Sequence, residues 1–146
     1  MVLLTAAAVV DFLVRLEETS ASFYINLARV FPDKKDIIEP YAKENKKNSV
    51  FVKRVYHEVI SDALDGGFSF HMNETDYIFD ENVENLNFKE TIDKAIAIEK
   101  KIGAAYANAA ETSRSLMSDL PRLFNRMAQK REKRIEKLNE LNDGDV

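Results

Sequence analysis

Arg131 and Arg134 stand where the last helical stretch of the chain should be apolar. Leu120, Leu123, Phe124, Met127, Arg131, Arg134, Ile135, Leu138 and Leu141 recur at helical spacing and form one face. Two guanidinium groups turned toward a core demand partners, because an unpaired charge in a low-dielectric interior is very costly. An arginine is always charged, offers five donors and has no lone pair for a metal. The chemistry open to it there is ion pairing or the holding of an anion. The expected partners are Glu17 and Glu99, each mid-stripe in another helical stretch, with Asn45, Asn48, Tyr24 and Tyr106 meeting the remaining donors and acceptors. Lys130 and Lys133 are read as the solvated face of the same run.

Four helices must position these groups. The first is predicted over 5–31, with Thr5 as its N-cap and Val10, Leu13, Tyr24, Leu27 and Phe31 on one face together with Glu17. Phe31-Pro32-Asp33 breaks it, since proline disfavours helix in the residue before it. The second is predicted over 36–64, with Ile38, Tyr41, Ala42, Val52, Val55 and Val59 inward and Asn45 and Asn48 interrupting them. Pro40 is expected in its first turn, where a missing N–H costs least, and Asp65-Gly66-Gly67 ends it. Over 66–88 the aromatics Phe68, Phe70, His71, Tyr77, Phe79 and Phe88 alternate with acidic and amide residues, and no helical period survives. Such a long connection reads as a crossover joining two parallel neighbours of a bundle. The third helix is predicted over 87–115 from the capping-box spacing Asn87-Phe-Lys-Glu90, with Ile92, Ala95, Glu99, Ile102, Tyr106 and Ala110 inward. The fourth is predicted over 118–141, with Asp119 and Pro121 in its first turn.

The two halves of the chain repeat one another. Asp11-x5-Glu17-x6-Tyr24 matches Asp93-x5-Glu99-x6-Tyr106, and Ala42-x2-Asn45-x2-Asn48 corresponds to Ala128-x2-Arg131-x2-Arg134. Each half is therefore one helical hairpin with polar residues at the same height, and Asp11 and Asp93 are placed on the inner stripes with the rest. On these residues the whole chain resembles the ferritin-like superfamily, and within it the rubrerythrin-related proteins. Their bundle holds two irons through a Glu on each of two helices and a Glu-x-x-His on each of the other two. The resemblance implies an all-α, ferritin-like four-helix bundle in a single domain, 1–146, with a long crossover between helices 2 and 3. Glu17 and Glu99 match the single-Glu positions. The Glu-x-x-His positions fall on Asn45 and Asn48 and on Arg131 and Arg134, so four of the six ligand positions depart from the pattern. Two ferrous ions need four carboxylates for balance, whereas here two carboxylates face two guanidinium groups and the charges close without metal. A guanidinium about 4–5 Å from a metal ion would repel it by several kcal/mol at an effective dielectric near 20.

The function expected from this is that of a non-catalytic rubrerythrin-related protein without a cofactor, its bundle a structural or interaction module that self-associates as a homodimer or other homo-oligomer. The alternative that the resemblance implies is a di-iron oxidoreductase with unusual ligands, for which Glu18, Glu44, Glu132, His57 and His71 are the nearest further donors. The three glutamates are each one step from a motif position, and one step is a rotation of about 100°, which takes a side chain off the core face. His57 is read as an exposed helix residue and His71 as a crossover residue packed among aromatics. A third reading uses the arginines and asparagines as a polar pocket for a small anion inside the bundle.

Composition narrows the field further. With no cysteine, disulfides, thiolate metal sites and thiol chemistry are excluded. A net charge of -4 with mixed signs offers no basic field for a nucleic acid backbone. The apolar start of the chain runs straight into Asp11 without a positive leader, so it is read as the buried beginning of the first helix, with no membrane segment, and the protein as cytoplasmic. No glycine-rich phosphate loop or nucleophile elbow is present.

Overall fold

The first helix begins where Thr5 leaves extended backbone and its hydroxyl accepts the Ala8 N–H at 3.0 Å. The structure, a computed structural model, describes residues 2–3, 5–60, 72–114 and 119–144. Helix α1 spans Ala6–Val30. Pro32–Lys34 then forms a single 3-10 turn that feeds directly into α2, Lys35–Ile60. Because that turn starts the helix early, Pro40 lies inside α2, deeper than the first turn where the sequence places it, and removes the helical bond to the Asp36 carbonyl. The expected stop at Asp65-Gly66-Gly67, the aromatics Phe68, Phe70 and His71, and the expected ends of the third helix at Ser115 and start of the fourth at Ser118 lie outside the described residues.

Ahead of Thr5, residues 2–3 are extended and not helical. Strand β1, Val2–Leu3, pairs antiparallel with β2, Met72–Asn73, in the register Val2 to Asn73 and Leu3 to Met72. The sequence places this start in the first helix. Once Thr5 caps that helix, the backbone ahead of it is free to pair with the crossover, and Leu3 and Met72 are buried there.

Helix α3, Phe88–Thr112, carries a complete capping box: Asn87 Oδ1 accepts the Glu90 N–H at 2.8 Å and Glu90 Oε1 accepts the Asn87 N–H at 3.0 Å. An Asn87→Ala variant is expected to lose about 1 kcal/mol in urea melts, the usual worth of an N-cap. Helix α4 spans Asp119–Gly144, so it runs three residues past the expected end at Leu141.

The side chains settle the helix directions. Tyr24 reaches Glu99 and Tyr106 reaches Glu17, while the Phe31 and Phe88 rings meet at 5.4 Å. As one helix advances its partner recedes, so α1 and α3 are antiparallel. Helix α2, which doubles back along α1, therefore runs parallel to α3. The packing is α1 on α2 and α3 on α4, with smaller contacts of α1 on α3 and α2 on α4. This places α2 and α3 across the diagonal, so the crossover joins parallel helices that are not neighbours. It climbs along the outside of α3: the Tyr77 hydroxyl accepts from Asn108 at 2.7 Å, the Ile78 carbonyl from Lys101 at 2.9 Å, and Asp80 and the Asn82 carbonyl both take the Lys94 ammonium. Asn85 turns it with φ 64°, a left-handed conformation that asparagine tolerates better than most side chains.

The core is built from the stripes that the sequence marks, including Leu13, Leu27, Ile38, Val52, Ile92, Ile102, Phe124 and Leu138. Asp11 and Asp93 are exceptions. Both are exposed, Asp11 against Arg15 and Asp93 against Lys89, because six positions before the buried glutamate the helix has turned its outer face. No helix among the described residues is long and apolar enough to cross a membrane.

Candidate functional site

At mid-height of the bundle the apolar stripes give way to polar side chains on all four helices, charged on α1, α3 and α4 and amide on α2. Glu17 of α1 and Glu99 of α3 are fully buried, and Arg131 and Arg134 of α4 are buried to within a few per cent. Arg131 donates to Glu17 Oε1 at 2.5 Å, and its Nε lies 3.4 Å from Glu99 Oε2 without hydrogen-bond geometry. Arg134 donates to Glu99 Oε1 at 3.0 Å. Two carboxylates and two guanidinium groups thus neutralise one another in the interior, the arrangement in which buried charges are tolerated.

The neutral residues close most of the remaining valences. Asn45 of α2 takes both arginines on one oxygen, Arg131 at 3.0 Å and Arg134 at 2.7 Å, and donates its amide to Ser20 at 2.8 Å. It lies between two like charges, where an acceptor lowers their mutual repulsion. Tyr24 donates to Glu99 Oε1 at 2.9 Å and Tyr106 to Glu17 Oε2 at 2.6 Å, one from each half of the repeat. The Arg134 guanidinium lies 5.4 Å from the Tyr24 ring centre and 5.0 Å from that of Tyr41, so its faces meet aromatic surface while its edge meets acceptors.

Burial pushes the Tyr24 phenol well above its ordinary value, and the Glu99 charge adds to the effect while Arg134 opposes it. Burial does the same to Tyr106, with Glu17 adding and Arg131 opposing. For Arg131, burial alone would pull the guanidinium down, and Glu99 and Glu17 together more than restore it, so the net shift is upward. Arg134 follows the same balance with Glu99, against Arg131. The phenols are held protonated and the guanidinium groups charged, so neither passes a proton near neutral pH.

Asn48 is buried but makes no hydrogen bond to these four charges. Its oxygen accepts from Lys130 at 3.4 Å, and Lys130 is accordingly half-buried where the sequence reading left it solvated. Sequence reasoning missed Glu44, Ser20 and Tyr41. Glu44 was set off the core face by its rotation along the helix. Its side chain is indeed 44% exposed, yet it is long enough for the carboxylate to return to Arg134 at 2.9 Å, and the Tyr41 carbonyl accepts from the same nitrogen at 3.5 Å. Ser20, one turn after Glu17, carried a signal in its place on the stripe. Glu18, Glu132 and His57 are exposed, and His71 lies outside the described residues.

These residues do not fit a di-iron centre. Among the described residues no three histidine, cysteine or acidic side chains gather closely enough to hold a metal ion, and cationic groups fill the space between Glu17 and Glu99. They do not form an empty anion pocket either, because Glu17 and Glu99 already take the arginines. Comparison of the chain with known protein families, curated proteins and solved structures finds no match.

Proposed function

We propose that this chain is a non-catalytic, rubrerythrin-related ferritin-like protein in which a former di-iron site has become a buried Glu/Arg/Asn cluster. The observation that carries the reading is the position of Arg131 and Arg134 between the two carboxylates, where each guanidinium stands in for a cation. The exchange of Tyr24 and Tyr106 between opposite glutamates supports descent from a duplicated hairpin of the ferritin-like kind. In this reading the bundle is a structural or interaction module and works through its surface. Self-association as a homodimer has its support in Val30 and Ile37, 50% and 46% exposed, which flank the turn between α1 and α2.

Elemental analysis tests the reading, on protein purified without tags or chelators and again after anaerobic incubation with ferrous iron and removal of the excess. The expected content is below about a tenth of an iron per chain in both samples, since guanidinium groups already hold Glu17 and Glu99 and would repel a metal ion there. Between about one and two irons per chain would overturn the reading and return the oxidoreductase alternative.

A further inference from the structure

The outer face of α2 and α4 carries an open groove of about 900 Å³ whose walls are basic. Lys46, Lys47 and Arg54 line it from α2, and Arg126, Lys130 and Lys133 from α4. Among the described residues no carboxylate lines it, although acidic residues outnumber basic ones in the chain by 25 to 21. Among the described residues none of the six cations is paired with a carboxylate. Like charges gathered along one concavity repel one another and raise the local concentration of anions.

A second observation points the same way. Asn48, only 3% exposed, lines the groove; its oxygen is taken by the Lys130 ammonium, and its Nδ2 has no hydrogen-bond partner. Buried amide donors are almost always satisfied, so this Nδ2 is a donor open to an acceptor in the groove. A phosphate oxygen that draws Lys130 off Asn48 is such an acceptor. The groove also has an apolar end. Val50 is 62% exposed beside Phe51, and the Arg54 guanidinium stands 5.5 Å from the Phe51 ring centre.

We propose that this groove binds a small soluble polyanion carrying two or more phosphate groups. The lysines and arginines of facing helices hold the phosphates, Asn48 donates to one of them, and Val50 and Phe51 receive any apolar portion. Arginine edges and lysine ammonium groups are the usual holders of phosphate, and the volume falls within the range of small-molecule sites. This inference does not rest on the reading of the iron-ligand positions: Asn48 stands at one of them, but it lines the groove and makes no hydrogen bond to the four buried charges.

The test is calorimetric and NMR titration of the full chain with tripolyphosphate, and separately with ATP, at about 0.1 M salt, where the Debye length is about 10 Å. The expected result is saturable binding of one ligand per chain, with amide shifts confined to 46–54 and 126–133. Lys47→Glu and Arg126→Glu should each weaken it by about tenfold or more, as the loss of a charge-assisted contact does. Lys53→Glu makes the same charge change on an exposed position of α2 that does not line the groove, and should alter affinity less than about twofold. Non-saturable binding, or equal weakening by Lys53→Glu, would mean diffuse attraction and overturn the proposal. A homo-oligomer that Lys47→Glu disperses in light scattering would assign the groove to a second copy and also overturn it. Co-sedimentation with phosphatidylserine vesicles in the absence of any tripolyphosphate binding would place the phosphates on a lipid and overturn the soluble ligand.

Discussion

Truncation of Glu99 to alanine is expected to cost about 3–5 kcal/mol of folding stability, because it leaves buried guanidinium charge without its counter-charge. Glu99 is the more connected of the two buried carboxylates: it accepts from Arg134 and Tyr24 and faces the Arg131 Nε. Its loss removes a partner from all three at once: Arg131 keeps only Glu17 and Arg134 only the half-exposed Glu44, so two buried guanidinium groups share one buried carboxylate. Glu17→Ala should fall in the same range, since it leaves Tyr106 without its acceptor and Arg131 with only Glu99 at 3.4 Å. The intact cluster need not be stabilising relative to an apolar core, because desolvation offsets most of the pairing; the penalty belongs to the broken state. Urea melts with unchanged m-values measure it directly. The pairing also predicts non-additivity: Glu99→Ala combined with Arg134→Met should lose less than the sum of the two single changes. Single losses below about 1 kcal/mol for both glutamates would mean that the cluster is solvated as a surface ion pair is.

Alkaline pH should unfold this chain through Tyr24 and Tyr106. Both phenols are pushed well above their ordinary value, first by burial and then by the carboxylates they donate to. The native state therefore holds these protons more tightly than the unfolded chain does. Their contribution is complete below the unfolded tyrosine pKa, about 10, and drains away as pH rises through the native values. Above about pH 10 each phenol should lower stability by about 1.4 kcal/mol per pH unit, so the pair steepens the fall by about twice that. Urea midpoints collected between about pH 8 and 11 report the slope. Tyr24→Phe and Tyr106→Phe isolate the two contributions from every other group that titrates there. Each should cost about 1–3 kcal/mol near neutrality, for a lost hydrogen bond to a charged acceptor, and each should flatten the alkaline limb. An unchanged alkaline slope in both variants would show that the phenols ionise in the native state.

Periodicity by itself determined the helices and their inner faces. The stripe from Leu120 to Leu141 could not hide Arg131 and Arg134, since a residue's place on a helix is fixed by spacing alone. Thr5 and Asn87 marked helix starts because caps are local chemistry, a side chain bonding the N–H three residues on. The repeat likewise marked Glu17, Tyr24, Glu99 and Tyr106 as inward polar groups, and the antiparallel packing of α1 on α3 then set Glu17 against Tyr106 and Glu99 against Tyr24. Only the tertiary structure decided the rest. Asp11 and Asp93 share the repeat yet face solvent, because matching positions in two helices says nothing about which face they occupy. That β1 finds β2 and that α2 and α3 lie on a diagonal depend on how the crossover packs, and its contacts with α3 follow no sequence period. Glu44 reached Arg134 through the length and freedom of its side chain, which a helical wheel fixed at Cβ does not represent. The basic groove gathers residues more than seventy positions apart, and their common face exists only when α2 and α4 are side by side.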